Sequence, residues 1–164
     1  MRTVAAICLL TCLYAGSALG DNASVAEIDH DVWSVISRTV EDGDIKGMAA
    51  VYHEDGVLVG GSATVSIAEQ LVKWGQDMEV QKQLGTLARV AFRFSSRVDD
   101  KATAFEAGIF QYTVTEHSGE ETTVYVEFEA LMVKKRGTWL ILMERQLEPA
   151  DPAAWAVLGE GEGL

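Results

Sequence analysis

The spacing of hydrophobic residues changes at Thr86, and this change constrains the fold more than any other feature of the sequence. Before Thr86 hydrophobic residues recur every three or four positions, as in amphipathic helices. After it they alternate with polar residues, as in half-buried strands. Four alternating runs cover residues 87–98, 102–116, 122–135 and 138–148, and short turns separate them. Helices followed by such hairpins predict an α+β domain, with three helices packed on one face of an antiparallel sheet.

Helix-capping patterns support three helices in the first part of the chain. A serine followed three residues later by a glutamate, at 24–27 and again at 66–69, is typical of a helix start. Gly43 suits the end of the first helix, and Asp44 suits the cap of a short second helix. The third helix is expected to begin at the second capping pattern.

The first twenty residues have the layout of a secretory signal. A basic residue precedes an apolar run over 4–15, and small residues stand just before Asp21. The run is short for a bilayer span, which favours a cleaved signal over a membrane anchor. We therefore expect a signal peptide at 1–20, a mature domain at 21–148 and a partly disordered tail at 149–164. The mature protein is expected to be exported, either to a periplasm or to the extracellular medium.

Composition excludes several classes of function. Cys8 and Cys12 both lie in the predicted signal, so the mature chain has no cysteine for a disulfide, a nucleophile or a metal site. The net charge of -12 repels phosphate backbones and anionic lipid surfaces. We therefore expect no nucleic-acid binding, no membrane binding after signal cleavage, and no cofactor.

Acidic residues and one histidine are concentrated between residues 38 and 60. They are Glu41, Asp42, Asp44, His53, Glu54 and Asp55. Residues 42–44 have the composition of a helix end followed by a helix cap, and residues 54–56 that of a turn into a short strand. The segment lacks the spacing of a calcium-binding loop, and no second histidine has metal-ligand spacing with His53. We expect structural roles for these acids and no metal site.

Two-residue turns at 99–100, 118–119 and 136–137 would place a definite set of side chains on the sheet face that the helices cover, and the last turn would pair Met132 with Ile141. The inward positions are then Val90, Phe92, Phe94, Phe105, Ala107, Ile109, Gln111, Val126, Phe128, Ala130, Met132, Trp139, Ile141, Met143 and Arg145. Gln111 and Arg145 are the strongly polar members of this set. Because a buried guanidinium needs a partner, Arg145 is expected either to bind the anionic or carbonyl end of a ligand, or to reach water or a helix carboxylate.

The same register predicts a pocket between the helices and the sheet. Trp33, Tyr52 and Trp74 would close it from the helix side, although each could equally be ordinary core. The expected lining is Trp33, Tyr52, Trp74, Phe92, Phe94, Ile109, Gln111, Phe128, Met143 and Arg145. His53 could act there as an acid or a base, or it could be a surface histidine at a helix end.

The opposite face of the sheet is expected to carry Arg93, Glu106, Tyr112, Tyr125, Glu127, Glu129 and Glu144. Glu127 and Glu129 stand two residues apart on one strand, like a catalytic carboxylate pair. A catalytic pair must face a cleft, however, and these two residues are expected to face solvent or a partner.

Several motifs resemble the SnoaL-like branch of the nuclear transport factor 2-like superfamily. They are the helix with Trp33, the Gly43-Asp44 pair, "AAVYHEDGVLVG", "FEAGIFQYTV" and "KKRGTWLIL", spread over residues 24–148. The resemblance implies a strongly curved, cone-shaped sheet closed by helices, an apolar pocket inside the cone, and homodimers through the sheet's outer face. Enzymes of this group typically carry an aspartate or histidine base inside the cone, and the inward positions predicted here include neither. The resemblance does not imply one activity, because the fold serves many functions.

Three functions are compatible with these expectations. The leading hypothesis is an exported domain that binds a small, mostly apolar molecule with a polar or anionic end. The alternative is a lyase or isomerase similar to ketosteroid isomerases and cyclases, in which Tyr52 or Arg145 polarises a carbonyl and His53 or Asp55 removes the adjacent proton. The third is a non-catalytic module that dimerises through Tyr112 and Tyr125.

Overall fold

The computed structural model describes residues 22–158 and contains the α+β arrangement that the periodicity predicts. The predicted signal peptide and the predicted disordered end at 159–164 lie outside the described residues. The elements are α1 (Asn22–Ile28), a π-helical turn (Asp29–Trp33), α2 (Ser34–Asp42), α3 (Ile45–Ala49), β1 (Tyr52–Val59), β2 (Thr64–Ser66), α4 (Ile67–Leu84), β3 (Leu87–Asp99), β4 (Thr103–Thr115), β5 (Glu121–Lys135), β6 (Thr138–Pro149) and α5 (Pro152–Leu158). Of the described helices, none is both long and apolar enough to cross a membrane.

The first predicted helix is continuous from α1 to α2 but contains a π-helical turn. This wider turn lies where two adjacent residues, Val32 and Trp33, are both buried against the sheet. The predicted capping box at 24–27 is wrong. Ser24 lies inside α1, and the Glu27 carboxylate instead accepts a hydrogen bond from the Trp139 ring nitrogen at 3.1 Å.

The other predicted helix ends are confirmed. Gly43 ends α2 with a left-handed backbone (φ 64°), and the Asp44 side chain accepts a hydrogen bond from the backbone N–H of Gly47 at the start of α3. Ser66 and Glu69 form a reciprocal capping box at the start of α4. These contacts explain why the helix boundaries could be read from local sequence.

The sheet has six strands in the order β2-β1-β6-β5-β4-β3 and is strongly curved. The four predicted strands form the antiparallel meander β3–β6. The sheet as a whole is mixed, because β1 pairs in parallel with β6. Residues 54–56, expected in a turn, lie within β1. Most of the domain lies between β1 and β6 in the sequence. Local sequence therefore shows neither which strand pairs with β1 nor that the pairing is parallel.

Helices cover the concave face of the sheet and form one hydrophobic core with it. Its fully buried members include Ile28, Val32, Ala130, Met132, Trp139 and Ile141. Four rings, Trp33, Phe92, Phe94 and Phe128, contact one another with centroid distances of 4.6 to 6.0 Å. Aromatic contacts of this kind fill the narrow part of the cone.

A bulge in β6 changes which of its residues face inward. Leu131 and Met132 are adjacent in β5, yet they pair with Met143 and Ile141, so Leu142 is an extra residue in β6. The predicted pairing of Met132 with Ile141 is confirmed, but the alternation shifts by one residue beyond Leu142. Glu144 therefore faces inward and Arg145 faces outward, and the predicted inward orientation of Met143 and Arg145 is wrong.

All of β4 has the orientation opposite to the predicted one. The β3–β4 loop has four residues between the Asp99–Ala104 pair, and the β4–β5 loop has five residues between the Thr115–Glu121 pair. The four-residue loop keeps the predicted alternation, whereas the five-residue loop and the bulge in β3 described below each shift it by one residue. Phe105, Ala107, Ile109 and Gln111 therefore face outward. Glu106, Phe110 and Tyr112 face inward. The two-residue turn at 136–137 is confirmed, with positive φ at both residues.

A second bulge bends β3 where Ser95 is the extra residue between the Phe94–Gly108 and Ser96–Ala107 pairs. A Cβ atom on Gly108 would lie 2.0 Å from the carbonyl oxygen of Arg93, so a side chain has no room at this position. Bulges bend and twist a sheet, and this close approach requires glycine at the bend.

The last helix packs on the outer, convex face of the sheet. The Asp151 side chain caps α5 by accepting a hydrogen bond from the backbone N–H of Ala153 at 2.8 Å. Trp155 is buried there against the Tyr125 ring and beneath the Arg93 guanidinium, which also donates to the Trp155 carbonyl at 2.7 Å. Part of the predicted tail is therefore an ordered element of the domain.

Candidate functional site

A cavity of about 560 Å³ lies between the helices and the concave face of the sheet. Its lining residues come from eight elements and are Trp33, Ile36, Val40, Met48, Tyr52, Trp74, Asp77, Met78, Val80, Gln81, Val90, Phe92, Phe110, Tyr112, Glu144 and Gln146. Most of this wall is apolar, and six of the side chains are aromatic. The volume lies within the range of small-molecule sites in proteins.

One carboxyl group, that of Glu144, is buried in this wall. Tyr52 donates a hydrogen bond from its hydroxyl to Glu144 at 2.7 Å, and the Gln146 side-chain amide donates a second at 2.9 Å to the other carboxylate oxygen. The β6 bulge places Glu144 and Gln146 on the inner face, and the start of β1 places Tyr52 opposite them. The result is a buried acid held in one orientation by two donors.

Burial controls the ionisation of this pair. It raises the pKa of the Glu144 carboxyl above its ordinary value, while the hydrogen bonds from Tyr52 and Gln146 act in the opposite direction. Burial and the neighbouring Glu144 carboxylate raise the pKa of the Tyr52 hydroxyl well above its ordinary value. Tyr52 therefore keeps its proton at neutral pH, and Glu144 is a stronger proton acceptor than an exposed carboxylate.

A second polar pair lies in the wall, with Gln81 donating from its side-chain amide to the Tyr112 hydroxyl at 3.0 Å. Tyr112 acts as the acceptor in this bond, so its own hydroxyl proton can be donated to a bound group. At the rim, Asp77 and Val80 on α4 are exposed and mark the opening.

A buried ionic cluster supports the cavity wall at Trp33. The Trp33 ring nitrogen donates to Glu106 at 2.6 Å, and Arg97 donates to Glu106 at 2.8 Å and to Asp29. Burial opposes the charge of Arg97, but the two carboxylates outweigh it and raise the pKa of the guanidinium. Glu106 is thus buried with a partner, and this cluster fixes the ring of Trp33 against the sheet.

Four of the residues predicted to line a pocket do so: Trp33, Tyr52, Trp74 and Phe92. Phe94 and Phe128 face inward but belong to the core beside the cavity. Ile109, Gln111, Met143 and Arg145 face outward, for the reasons of register given above. Gln111 donates to the Tyr125 hydroxyl at 3.0 Å on the outer face.

The positive charge expected in the pocket is on the outside of the sheet. Arg145 pairs with Glu129 at 3.2 Å, and both side chains are partly exposed. This also accounts for Glu129, which together with the exposed Glu127 lies on the solvent side as predicted. Tyr112 was expected on the outer face and instead lines the cavity.

His53 and Asp55 do not line the cavity. The Asp55 side chain is 84% exposed, and His53 lies beside Lys135 with its ring nitrogen 3.2 Å from the lysine ammonium. In the described part of the chain, His53, Glu54 and Asp55 are the group that could present three metal ligands within 4.8 Å of one another. Lys135 already pairs with Glu54 at 2.8 Å, and its positive charge opposes that of a metal ion.

Reasoning from the sequence missed Glu144, Gln146, Tyr112 and Gln81. Glu144 and Tyr112 were assigned to the wrong face because the bulges in β6 and β3 and the five-residue β4–β5 loop change the alternation. The sequence does contain one indication of Glu144. It is a glutamate that follows the apolar run 139–143 within a single predicted strand. Only the strand pairing shows that this glutamate faces inward.

Solved structures of known proteins share this architecture. An NTF-2 like protein of unknown function from Shewanella oneidensis has a TM-score of 0.59 at 15% identity, over 76% of this chain and 99% of that one. A ketosteroid isomerase-like protein from Erwinia carotovora atroseptica has a TM-score of 0.55 at 20% identity, over 79% and 100%. The chain has a nuclear transport factor 2-like fold.

A third structure with this nuclear transport factor 2-like fold comes from Catenulispora acidiphila and was solved in complex with S-DNPA. It has a TM-score of 0.63 at 15% identity, over 77% of this chain and 95% of that one. No protein-family model matches the sequence, and no curated protein matches it. At these identities the likeness extends to the fold and not to an activity.

Proposed function

We propose that the cavity binds a small, mostly apolar molecule whose polar group contacts Tyr52 and Glu144. The observation that carries this proposal is a buried, hydrogen-bonded carboxyl in a mostly apolar wall. An apolar core does not need such a group, because burying a carboxyl is costly, and its fixed orientation suits ligand recognition. The Catenulispora acidiphila complex supports the proposal in so far as a protein of this fold was solved with a small molecule.

Two valines on α4 allow a matched test. Val80 lines the rim of the cavity and is 53% exposed, whereas Val72 is 61% exposed on the same helix and is not in the lining. Val80→Trp should obstruct the opening without affecting the core, and Val72→Trp adds the same ring elsewhere. The probe is N-phenyl-1-naphthylamine, a neutral dye that fluoresces in apolar surroundings.

We expect wild type and Val72→Trp to bind the dye with equal affinity, and Val80→Trp to bind it at least about tenfold more weakly, a loss of about 1.4 kcal/mol. Fluorescence titration measures all three. Equal affinities in the two tryptophan variants would show that the dye does not occupy this cavity.

A second candidate function is proton transfer next to a carbonyl. The raised pKa of Glu144 suits a general base, and the Tyr112 hydroxyl can donate to a developing oxyanion. The version with His53 or Asp55 as the base has no support, because neither residue lines the cavity.

Deuterium incorporation next to the carbonyl of 2-tetralone, followed by NMR in D₂O, tests this candidate. Wild type should accelerate the exchange, Glu144→Gln should not, and Glu79→Gln on the exposed face of α4 should behave as wild type. Exchange at the buffer rate with all three proteins would contradict proton transfer and leave the binding proposal unaffected.

We propose in addition that the mature protein is exported, as the first twenty residues indicate. The mass of the protein isolated from the periplasm or the medium should correspond to a chain that begins at Asp21. Recovery of the full-length chain from the cytosol alone would contradict export.

We propose that the protein forms a homodimer through the outer face of the sheet. One row of mutually paired, outward-facing apolar side chains crosses five strands there: Val57, Met143, Leu131, Phe105 and Val98. Phe105 and Val98 are 36% and 48% exposed, which is unusual for neighbouring apolar residues unless a partner covers them.

Light scattering after gel filtration should give twice the chain mass for wild type. Phe105→Glu should give a monomer, and Val157→Glu, on the exposed side of α5, should remain a dimer. A monomeric wild type at micromolar concentration would rule out this assembly.

A further inference from the structure

The formally charged groups on the cavity wall are both acidic. Among the described lining residues, Glu144 and Asp77 carry carboxylates, and none is a lysine, arginine or histidine. Glu144 lies in the buried part of the wall and Asp77 at the rim, so negative charge extends from the opening inward. The cation expected in the pocket, Arg145, pairs with Glu129 on the opposite face of the sheet.

The apolar part of the wall is rich in aromatic rings. Trp33, Tyr52, Trp74, Phe92, Phe110 and Tyr112 all contribute to it. Tyr52 and Trp74 lie next to each other, with ring centroids 6.1 Å apart, and the Tyr52 hydroxyl is bonded to Glu144. The faces of such rings attract cations, most strongly when the cation is partly desolvated.

We propose that the ligand of this cavity is an amphipathic organic cation, namely an amine whose ammonium group contacts Glu144 and whose aromatic or aliphatic body fills the apolar part. This inference rests on the proposed binding function and specifies the chemical class of the ligand. It replaces the anionic end that the sequence suggested.

The hydrogen bonds of Glu144 leave room for such a group. Each carboxylate oxygen can accept about two hydrogen bonds, and Tyr52 and Gln146 use one on each. An ammonium group carries only donors, so it fits the remaining lone pairs and neutralises the buried charge. An alcohol can donate one hydrogen bond without this charge pairing. A carboxylate ligand has no donor for Glu144 and would be repelled by it.

Three probes of nearly equal size separate these cases. They are 1-naphthylmethylamine, 1-naphthylmethanol and 1-naphthoic acid, which are positive, neutral and negative at neutral pH. Isothermal titration calorimetry measures the affinity of each probe. About 0.15 M salt is included because it screens the general attraction between cations and a protein with a net charge of -12. Val80→Trp, which obstructs the opening, measures any binding outside the cavity.

We expect the amine to bind wild type at least about tenfold more tightly than the alcohol, and the acid to bind more weakly than either. Glu144→Gln should weaken the amine by at least about tenfold and change the alcohol by less than about threefold. Glu79→Gln removes the same charge outside the cavity and should change neither. Asp77→Asn, at an exposed position that does not affect folding, should weaken the amine selectively but less.

The outcomes distinguish this inference from the function on which it rests. If the alcohol binds in the cavity and the amine binds no more tightly, the binding function stands and the cation inference is overturned. Amine binding that persists in Val80→Trp or is lost equally in Glu79→Gln would also overturn it, because the attraction would then be general. If none of the three probes binds, both proposals fall together.

Discussion

At the scale of single residues, Glu144 combines two opposing influences on its proton. Its burial favours the neutral form, whereas the donors Tyr52 and Gln146 favour the charged form. Because burial outweighs the two donors, ionising Glu144 destabilises the folded protein. The burial that raises the pKa of this carboxyl therefore has a cost in stability.

The pH dependence of stability should reveal this cost. With a raised pKa in the folded state, the folded protein binds more protons than the unfolded chain above the ordinary glutamate pKa, so stability falls as pH rises through the folded pKa. Glu144→Gln lacks this titration. Its free energy of unfolding, measured with urea at pH 4, 6 and 8, should rise relative to wild type as pH increases.

The other carboxyl groups are the same in wild type and Glu144→Gln. The difference between their free energies of unfolding therefore reports on Glu144 alone. Glu79→Gln serves as the control and should follow wild type at each pH. If the difference in free energy of unfolding stays constant or reverses between pH 4 and 8, burial does not outweigh the hydrogen bonds from Tyr52 and Gln146.

The sequence could predict the aromatic residues of the site but not its polar ones. Trp33, Tyr52, Trp74 and Phe92 were identified because large apolar residues at helical or strand spacing face the core for energetic reasons that are local. Whether Glu144 or Arg145 faces inward depends on the pairing of β6 with β5, and pairing is not a local property.

At the scale of elements, bends in the strands give the sheet its curvature. The bulge at Ser95 lies opposite Gly108, where the Arg93 carbonyl would be 2.0 Å from any Cβ atom. This contact involves backbone on both sides, so neither strand can adjust by changing a rotamer.

Gly108→Ala should therefore destabilise the protein by about 3 kcal/mol, at the upper end of the usual cost of overpacking. Gly61→Ala is the matched control, because a Cβ atom there would meet nothing within 4 Å, and it should change the free energy of unfolding by less than about 0.5 kcal/mol. Chemical denaturation measures both. Similar values for the two alanine variants would show that the bend tolerates a side chain.

The helices could be predicted closely and the turns could not. Caps such as Asp44 and the 66–69 box act within four residues, and all are present in the structure apart from the one at 24–27. The two hairpin loops of four and five residues contain no residue pair that fixes their length. The five-residue loop is longer than predicted by an odd number of residues, and the bulge at Ser95 adds one residue to β3, and each of these changes inverts β4 relative to its neighbour. For this reason β4 was inverted although its boundaries were nearly correct.

At the scale of the whole molecule, helices pack on both faces of the sheet. Helices α1 to α4 cover the concave side, and α5 is attached to the convex side by Trp155, which contacts Tyr125 and Arg93. The tail of the sequence thus links the last helix to the edge strand β3 and to β5.

Trp155→Ala should lower the free energy of unfolding by about 3 kcal/mol, as expected for the loss of a buried aromatic side chain. Val157→Ala, at a position 77% exposed on the same helix, should have almost no effect. Thermal unfolding followed by circular dichroism measures both. Equal melting temperatures for the two variants would indicate that α5 is not bound to the sheet in solution.

The extra residue in β6 also means that one stretch of sequence encodes two alternative surfaces of opposite charge. Read with strict alternation from Ile141, this strand presents Met143 and Arg145 to the cavity; read with Leu142 as a bulge, it presents Glu144 and Gln146. The change requires no substitution. It requires only that the β6 residues beyond Leu142 pair with different residues of β5. The charge that β6 presents to the cavity is thus set by backbone pairing, and the same β6 residues in the other pairing would present the opposite charge.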